Sequence, residues 1–258
     1  MARIRLDQAL AQAGLAPSRE QAKRLIMAGQ VLVNDEPISK PGWLIAPDAA
    51  LRVKQSPRYV GRGGLKLEGA LHHFAIDPSG MVAMDIGAST GGFTDCLLQH
   101  GAARVYALDV GTNQLAYKLR EDPRVISREQ CNVRHLGRDA LPETVNLIVA
   151  DVSFISLTLV LPAALAHLKA GGQALVLIKP QFELTREDIG PGGIVREPLL
   201  HQRACQRIED WVRAQPQLQW LGLMESPLRG TDGNIEFLAH FQRLKTPHCP
   251  APEGEIPA

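Results

Sequence analysis

The sequence predicts an α/β protein: a mostly parallel, doubly wound sheet preceded by a small α+β module. Three observations predict it. Apolar runs and amphipathic segments alternate regularly from Val82 to Lys179, the pattern of strands joined by helical crossovers. The first of those runs, Val82-Ala-Met-Asp85-Ile, ends in a glycine-rich turn, Gly87-Ala-Ser89-Thr90-Gly91-Gly92, before a helix from Phe93 to Gln99. The first 59 residues have another character: nine Lys/Arg stand against five acids, a surplus of four positive charges in a chain whose net charge is +1.

At 258 residues the chain can bury one large core and a smaller one. A hydrophobic share of 45% and a charged share of 21% fit a soluble globular protein. No apolar stretch is long enough to span a bilayer, and Met1-Ala-Arg-Ile-Arg5 lacks the apolar centre of a signal peptide. A cytoplasmic location without a membrane partner is therefore expected. The cysteines, Cys96, Cys131, Cys205 and Cys249, form no C-x-x-C pair, so neither a zinc site nor a disulfide framework is implied. The first three read as buried inert thiols, and no metal is expected. The expected boundaries are residues 1–56 for the basic module, 57–245 for the α/β module and 246–258 for a Pro-rich, disordered tail.

Within the basic module, Arg5 to Gly14 reads as a short helix with Leu6, Ala9 and Leu10 on its apolar face. A second helix starts at Ser18, which has capping-box spacing to Gln21; Ala22, Leu25 and Ile26 give it a core face. Val31-Leu-Val33 then enters a turn at Asn34-Asp35, with more short strands up to Val53. The Arg5-Leu-Asp-x-x-Leu opening, the Ser18-Arg-x-x-Ala helix and the Ala28-Gly-x-Val-x-Val-Asn34 hairpin resemble the S4 RNA-binding domain. That resemblance implies an RNA-facing surface of Arg5, Arg19, Lys23 and Arg24, contacting phosphates more than bases. A solvated basic face is the alternative. Asp35 stands where the family usually has glycine, and aspartate tolerates such turns.

Lys54 to Arg58 reads as a connector. Tyr59-Val-Gly-Arg-Gly63-Gly64 then leads into a helix reaching about Phe74, with Lys66 in its first turn, where the helix dipole disfavours a cation. Beyond the glycine turn come a strand from Arg104 to Asp109, a helix from Asn113 to Arg120, and a strand and loop from Val125 to Asn132. A strand runs from Val145 into Asp151, a helix follows over about Leu157–Leu168, and another strand runs from Ala174 to Lys179. The helix Leu199–Val212 and strands Trp220–Pro227 and Asn234–Phe241 complete the reading. Asp85, Asp109, Asp151 and Lys179 all fall at the C-terminal edge of the sheet, where such folds bind ligands.

Glycines in the first turn let backbone approach a ligand closely, and the helix behind them presents unpaired amides. The dinucleotide fingerprint G-x-G-x-x-G is absent. Asp85-x-Gly87-x-x-x-Gly91 instead resembles the first motif of class I S-adenosylmethionine (SAM) methyltransferases, a plain turn being the alternative. The resemblance implies that Asp85, Gly87, Ser89, Thr90, Gly91, Gly92 and Phe93 border SAM, with Asp85 and Gly87 at its cationic amino-acid end. Asp109, 24 residues after Asp85, suits the ribose hydroxyls. Asn132 suits the adenine edge, and Asp151 also borders the cofactor.

A lysine ending a buried apolar strand is costly unless paired. For Lys179, taken alone, a structural ion pair to Asp151 and a catalytic role are both open readings. The motifs Gly63-Gly-Leu-Lys66, Ala150-Asp151-Val-Ser-Phe-Ile-Ser, Ile178-Lys179-Pro-Gln-Phe-Glu and Gly233-Asn-Ile-Glu236-Phe together resemble the FtsJ-like ribose 2'-O-methyltransferases. With the S4 module they resemble the TlyA (haemolysin A-like) family over nearly all of the chain except the tail. Gly61 replaces the family's usual serine. The resemblance implies a Lys66-Asp151-Lys179-Glu236 catalytic tetrad, SAM as cofactor, and ribosomal RNA or a ribosomal subunit as partner, with cytidine ribose methylated. A ribose hydroxyl becomes a nucleophile as its proton leaves, so the site must align it and supply a base. Lys179 is the candidate base; burial and neighbouring Lys66 favour its neutral form, while carboxylates oppose it. Asp151 and Glu236 would hold the lysines, and Lys66 would steer the hydroxyl or a phosphate. Base C5-methylation would need a nucleophilic cysteine, and amino-group methylases usually carry Asp/Asn-Pro-Pro-aromatic where this chain has Asp151-Val-Ser-Phe154. Readings from other classes are an S4-type RNA-binding protein with a vestigial enzyme fold, and a membrane-lytic protein as the family's name suggests.

Overall fold

The computed structural model describes residues 3–54, 57–230 and 232–245. Contacts divide the chain into two units, Met1–Arg58 and Tyr59–Ala258. The tail expected to be disordered, with Cys249, lies outside the described residues, as do Gln55 and Ser56 of the connector.

The first unit comprises β1 (Ile4–Arg5), α1 (Leu6–Gln12), α2 (Arg19–Met27), β2 (Val31–Val33), β3 (Glu36–Pro37), β4 (Leu44–Ile45) and β5 (Leu51–Val53). Strand β2 lies between β3 and β5, and β1 pairs with β4. The apolar face read from the sequence is the core: Leu6, Leu10, Ala22, Ile26 and Val31 are fully buried. Ser18 caps α2, its Oγ accepting from Gln21 N at 3.2 Å. Asn34 and Asp35 take φ of 50° and 66°, the left-handed pair that a two-residue hairpin requires. An aspartate thus serves where glycine was expected.

The second unit runs α3 (Gly63–His73), β6 (Val82–Ile86), α4 (Gly92–Gln99), β7 (Arg104–Leu108), α5 (Tyr117–Arg120), β8 (Val125–Arg128), β9 (Val145–Ala150), α6 (Leu157–Leu165), β10 (Leu168–Ile178), α7 (Pro180–Glu183), α8 (Pro198–Arg213), β11 (Leu218–Glu225) and β12 (Phe237–Arg243). Its seven strands lie in the order β11-β12-β10-β9-β6-β7-β8. Strands β6 to β10 pair in parallel, and β12 is antiparallel to both β10 and β11. Side chains alternate across each strand. Met84, Ile86, Ile148, Val176 and Ile178 pack with Leu161 of α6 and Ile208 of α8. Ala83, Leu147, Val149, Leu175 and Leu177 pack with Leu67 of α3 and Leu97 of α4. Burial on both faces explains why these strands read as continuous apolar runs.

The structure corrects three elements. The helix expected over Asn113–Arg120 is one turn, α5. Asn113 is left-handed at φ 54°, and the preceding backbone is otherwise engaged: Gly111 N donates to Asp109 Oδ1 at 2.7 Å and Ala116 N to Thr90 O at 3.1 Å. Helix α6 stops at Leu165, because Leu168 already pairs with Val145 of β9 before a bulge at Gly171 (φ 77°). Strand β12 begins only at Phe237. Asn234 is bound across a loop instead, its Oδ1 accepting from Val195 N at 2.9 Å and its Nδ2 donating to Gly193 O at 3.0 Å.

Candidate active site

The chain turns from β6 to β7 and β8 on one side of the sheet and resumes with β9 on the other. That reversal opens a crevice at the C-terminal ends of β6 and β9. Gly87 (φ 79°) and Asp151 meet there so closely that a Cβ on Gly87 would stand 2.4 Å from the Asp151 carbonyl oxygen. Two cavities flank this contact, and both are lined by Gly87, Ser89 and Asp151.

The first cavity, about 220 Å³, contains all four expected catalytic residues. Lys66, in the first turn of α3, is buried and its ammonium bonds to buried Glu236, just ahead of β12. Burying two charges costs several kcal/mol per ion, which their mutual attraction offsets. Glycine is needed opposite: a Cβ on Gly230 would lie 2.5 Å from Glu236 Oε1. Lys179 and Asp151 follow neighbouring parallel strands, β10 and β9, so their side chains meet beyond the sheet edge. Lys179 Nζ lies 2.7 Å from Asp151 Oδ1 but off the hydrogen-bonding direction, leaving that oxygen without an aligned donor. Its aligned bond goes to Ser153 Oγ at 2.8 Å. Thr90, Gly92 and Phe93 also line this cavity. The departure at Gly61 has a local reason, since a Cβ there would meet Thr90 Oγ1 at 2.7 Å.

The second cavity, about 330 Å³, is framed by apolar Ile86, Leu108, Val133 and Val160, with Asp109 and Asn132 supplying polar groups. Asp109 accepts from Ser89 N at 2.7 Å and Gly111 N at 2.7 Å, fixing its carboxylate with one lone pair on each oxygen still available. Asn132 Oδ1 accepts from Arg134 N at 3.2 Å, so its free hydrogen-bonding group is the NH2.

Two expected cofactor residues line neither cavity. Gly91 (φ 95°) packs inward, where a Cβ would stand 2.2 Å from Leu119. Asp85 lies fully buried beneath the turn, Oδ2 accepting from Thr94 Oγ1 at 2.6 Å and Oδ1 without a partner among the described residues. Burial pushes its pKa up to about 7, against the Thr94 hydrogen bond, with the Asp151 charge adding to the rise.

In the first unit, Arg5 and Arg19 converge on buried Asp7, at 2.9 and 3.2 Å. The Arg5 hydrogen bond holds that carboxyl below its usual range. Lys23 pairs with Glu20 at 2.6 Å, and exposed Arg24 forms no ion pair among the described residues. Three of the four expected RNA contacts thus have a carboxylate partner.

Several residues were missed in the sequence. Arg62 and Arg229 line the first cavity, Arg62 Nη2 donating to Arg229 O at 3.1 Å. Phe154 lines the second, is 90% exposed and has φ 63°. An exposed aromatic in a strained backbone conformation is a signal of function, yet neither property can be read from residue order. Of the thiols, Cys96 and Cys205 are buried, with Cys205 pushed up to about 12 by burial. Cys131 is only half-buried and lines the second cavity, which corrects the expectation of a buried thiol.

Strand order, a single reversed strand (β12) next to the edge and a glycine turn at the crossover define the class, an α/β fold of the methyltransferase type. The chain belongs to the FtsJ-like methyltransferase family, whose model matches residues 59–243, and carries an S4 domain over residues 4–51. It is 45% identical over 239 residues to the 16S/23S rRNA (cytidine-2'-O)-methyltransferase TlyA of Mycobacterium tuberculosis, covering 91% of this chain and 88% of that one. It is 42% identical over 244 residues to Hemolysin A of Brachyspira hyodysenteriae, covering 92% and 99%. A solved structure from Streptococcus thermophilus, provisionally assigned as a hemolysin, matches with a TM-score of 0.71 at 47% identity, covering 98% and 92%.

Proposed function

We propose that this chain methylates a ribose 2'-hydroxyl of ribosomal RNA, at a cytidine, with SAM as donor. The observation that carries the reading is that Lys66, Asp151, Lys179 and Glu236, drawn from four separate segments, line one cavity next to a second cavity of nucleoside character. The residues fit SAM. The apolar frame with Asp109 and Asn132 suits adenosine, and the backbone of Gly87 and Ser89 lies between the two cavities. Asp85, whose buried Oδ1 has no partner among the described residues, puts negative potential beneath the turn when ionised, which favours a cationic ligand. Bound SAM would supply a methyl group already activated by its sulfonium.

The protein's own groups do the rest. Lys179, as its neutral amine, faces the acceptor hydroxyl and takes the proton as the oxygen bonds to the methyl carbon and the sulfur leaves; Asp151 orients the resulting ammonium, and Ser153 fixes its direction. Lys66, held by Glu236, supplies fixed positive charge in the same cavity and stabilises oxyanion character on the acceptor. Arg62 and Arg229 at the cavity hold the neighbouring phosphates, and exposed Phe154 offers a surface on which a base can stack. The S4 domain adds affinity through phosphate contacts from Arg5, Arg19, Lys23 and Arg24. The Hemolysin A relative raises a membrane reading, but among the described residues no helix is long and apolar enough to cross a membrane.

Mapping 2'-O-methyl groups on ribosomal RNA from cells with and without this chain tests the proposal. At least one cytidine methyl should vanish with the chain and return when it is restored. An unchanged map would reject ribosomal RNA as the substrate.

A further inference from the structure

Helices α3 and α4 run side by side with their first turns at the active site. The contact there is so close that a Cβ on Gly92 would stand 3.0 Å from Gly64 N. Eight residues further along each helix come His72 and His100, about 12 Å away at roughly 1.5 Å per residue. Glu68 lies one turn before His72 on the same face of α3. One donor atom from each of Glu68, His72 and His100 lies within 4.8 Å of the other two.

We infer that Glu68, His72 and His100 form a binding site for a divalent transition metal of the zinc type, joining α3 to α4 at the ends remote from the reacting groups. Two imidazoles and a carboxylate are a zinc-type donor set, with the fourth position left to water. A ligating histidine normally donates its other ring N–H to a carbonyl or carboxylate, which fixes the tautomer. His100 already does so: its Nδ1 lies 2.8 Å from Cys96 O, leaving the Nε2 lone pair for a metal. Donors around tetrahedral zinc stand roughly 3.3 Å apart, from bond lengths of about 2.0–2.1 Å. The His72 ring is exposed, which leaves it room to rotate toward the other two donors. The sequence reading expected no metal because it rested on cysteine spacing, whereas this set is Glu-x-x-x-His on one helix completed by a histidine 28 residues later. A metal here fastens the two helices whose other ends carry Lys66 and the glycine turn. It takes no part in methyl transfer.

The test uses the full chain, freed of any affinity tag and treated with chelator, and titrates it with Zn2+ calorimetrically and with Co2+ by visible absorption. Wild type should bind one equivalent, give a Co2+ ligand-field band and gain thermal stability with Zn2+. His72→Ala should bind at least ~10-fold more weakly and lose both the band and the gain. His72 is exposed, so the metal-free variant should melt like metal-free wild type. His73→Ala, one residue along and outside the cluster, should bind as wild type does. Absence of saturable binding by wild type, or equal binding by His72→Ala, would overturn the assignment. A loss in His73→Ala matching that in His72→Ala would also overturn it.

Discussion

The first cavity is lined by two lysine–carboxylate pairs that are alike on paper and different in place. Lys66 and Glu236 have side chains 9% and 3% exposed, and neither can move without stranding the other's charge. Lys179 and Asp151 are 12% and 23% exposed. Their contact is off the hydrogen-bonding direction, and Asp151 belongs to both cavities. On the proposed function, the difference separates scaffold from chemistry. The sealed pair fixes charge and geometry, whereas Lys179, in the first cavity beside an aspartate that borders both, is the lysine proposed to exchange a proton with a substrate. Asp85 provides the contrast, a buried carboxylate with no cation paired to it among the described residues, and burial, with the Asp151 charge adding to it, pushes its pKa up to about 7.

The largest expected effect tests the open pair. Lys179→Ala should reduce methyl transfer by about two to four orders of magnitude while costing less stability than Lys66→Ala, since Asp151 is 23% exposed and Glu236 only 3%. Lys179→Arg should be as inactive, because guanidinium keeps its proton. Single-turnover rates and thermal midpoints measure both, and an active arginine variant would reduce Lys179 to a positioning charge.

The sealed pair should fail in the opposite way. Lys66→Ala leaves Glu236 buried without its cation and should cost about 3–5 kcal/mol of stability, read by denaturant unfolding. Replacing the pair together, Lys66→Met with Glu236→Leu, should recover most of that stability without recovering activity. Recovery of activity as well would make the pair purely structural and erase the contrast.

Asp85 should give the smallest effect, one that depends on pH. The unfolded chain releases this proton near pH 4, whereas the folded protein keeps it to about pH 7. The cost of the buried group is therefore absent below about pH 4, grows between 4 and 7, and is complete above 7. Asp85→Asn should then stabilise the cofactor-free protein by roughly 1–4 kcal/mol at pH 8 and hardly at all at pH 4. Equal shifts at both pH values would mean that ionisation is not the cause.

The same division explains what the sequence could disclose. Strands β6, β7, β9 and β10 were legible because burial on both faces makes them continuous apolar runs, and the gathering of Lys66, Asp151, Lys179 and Glu236 at one cavity was legible through the motifs carrying them. Asn113 to Arg120 misled because helical spacing is visible in the residues while the bonds from Gly111 N to Asp109 and from Ala116 N to Thr90 O are not. Arg62, Arg229 and Phe154 were missed for a related reason: an exposed arginine or aromatic gains significance only from the cavity it borders. The carboxylate partners of Arg5 and Arg19 escaped notice too, because Asp7 is buried by the fold, and its position two residues from Arg5 does not disclose that.

If the open pair acts on a ribose hydroxyl, removing that oxygen from the substrate should abolish the reaction. An RNA substrate carrying a single 2'-deoxy substitution at the mapped nucleotide keeps its base, its phosphates and its capacity to bind. Under single-turnover conditions with labelled SAM, methyl transfer is expected to the all-ribose substrate and not to the deoxy substrate at equal occupancy. Methyl transfer to the deoxy substrate at that nucleotide would contradict action on the ribose hydroxyl.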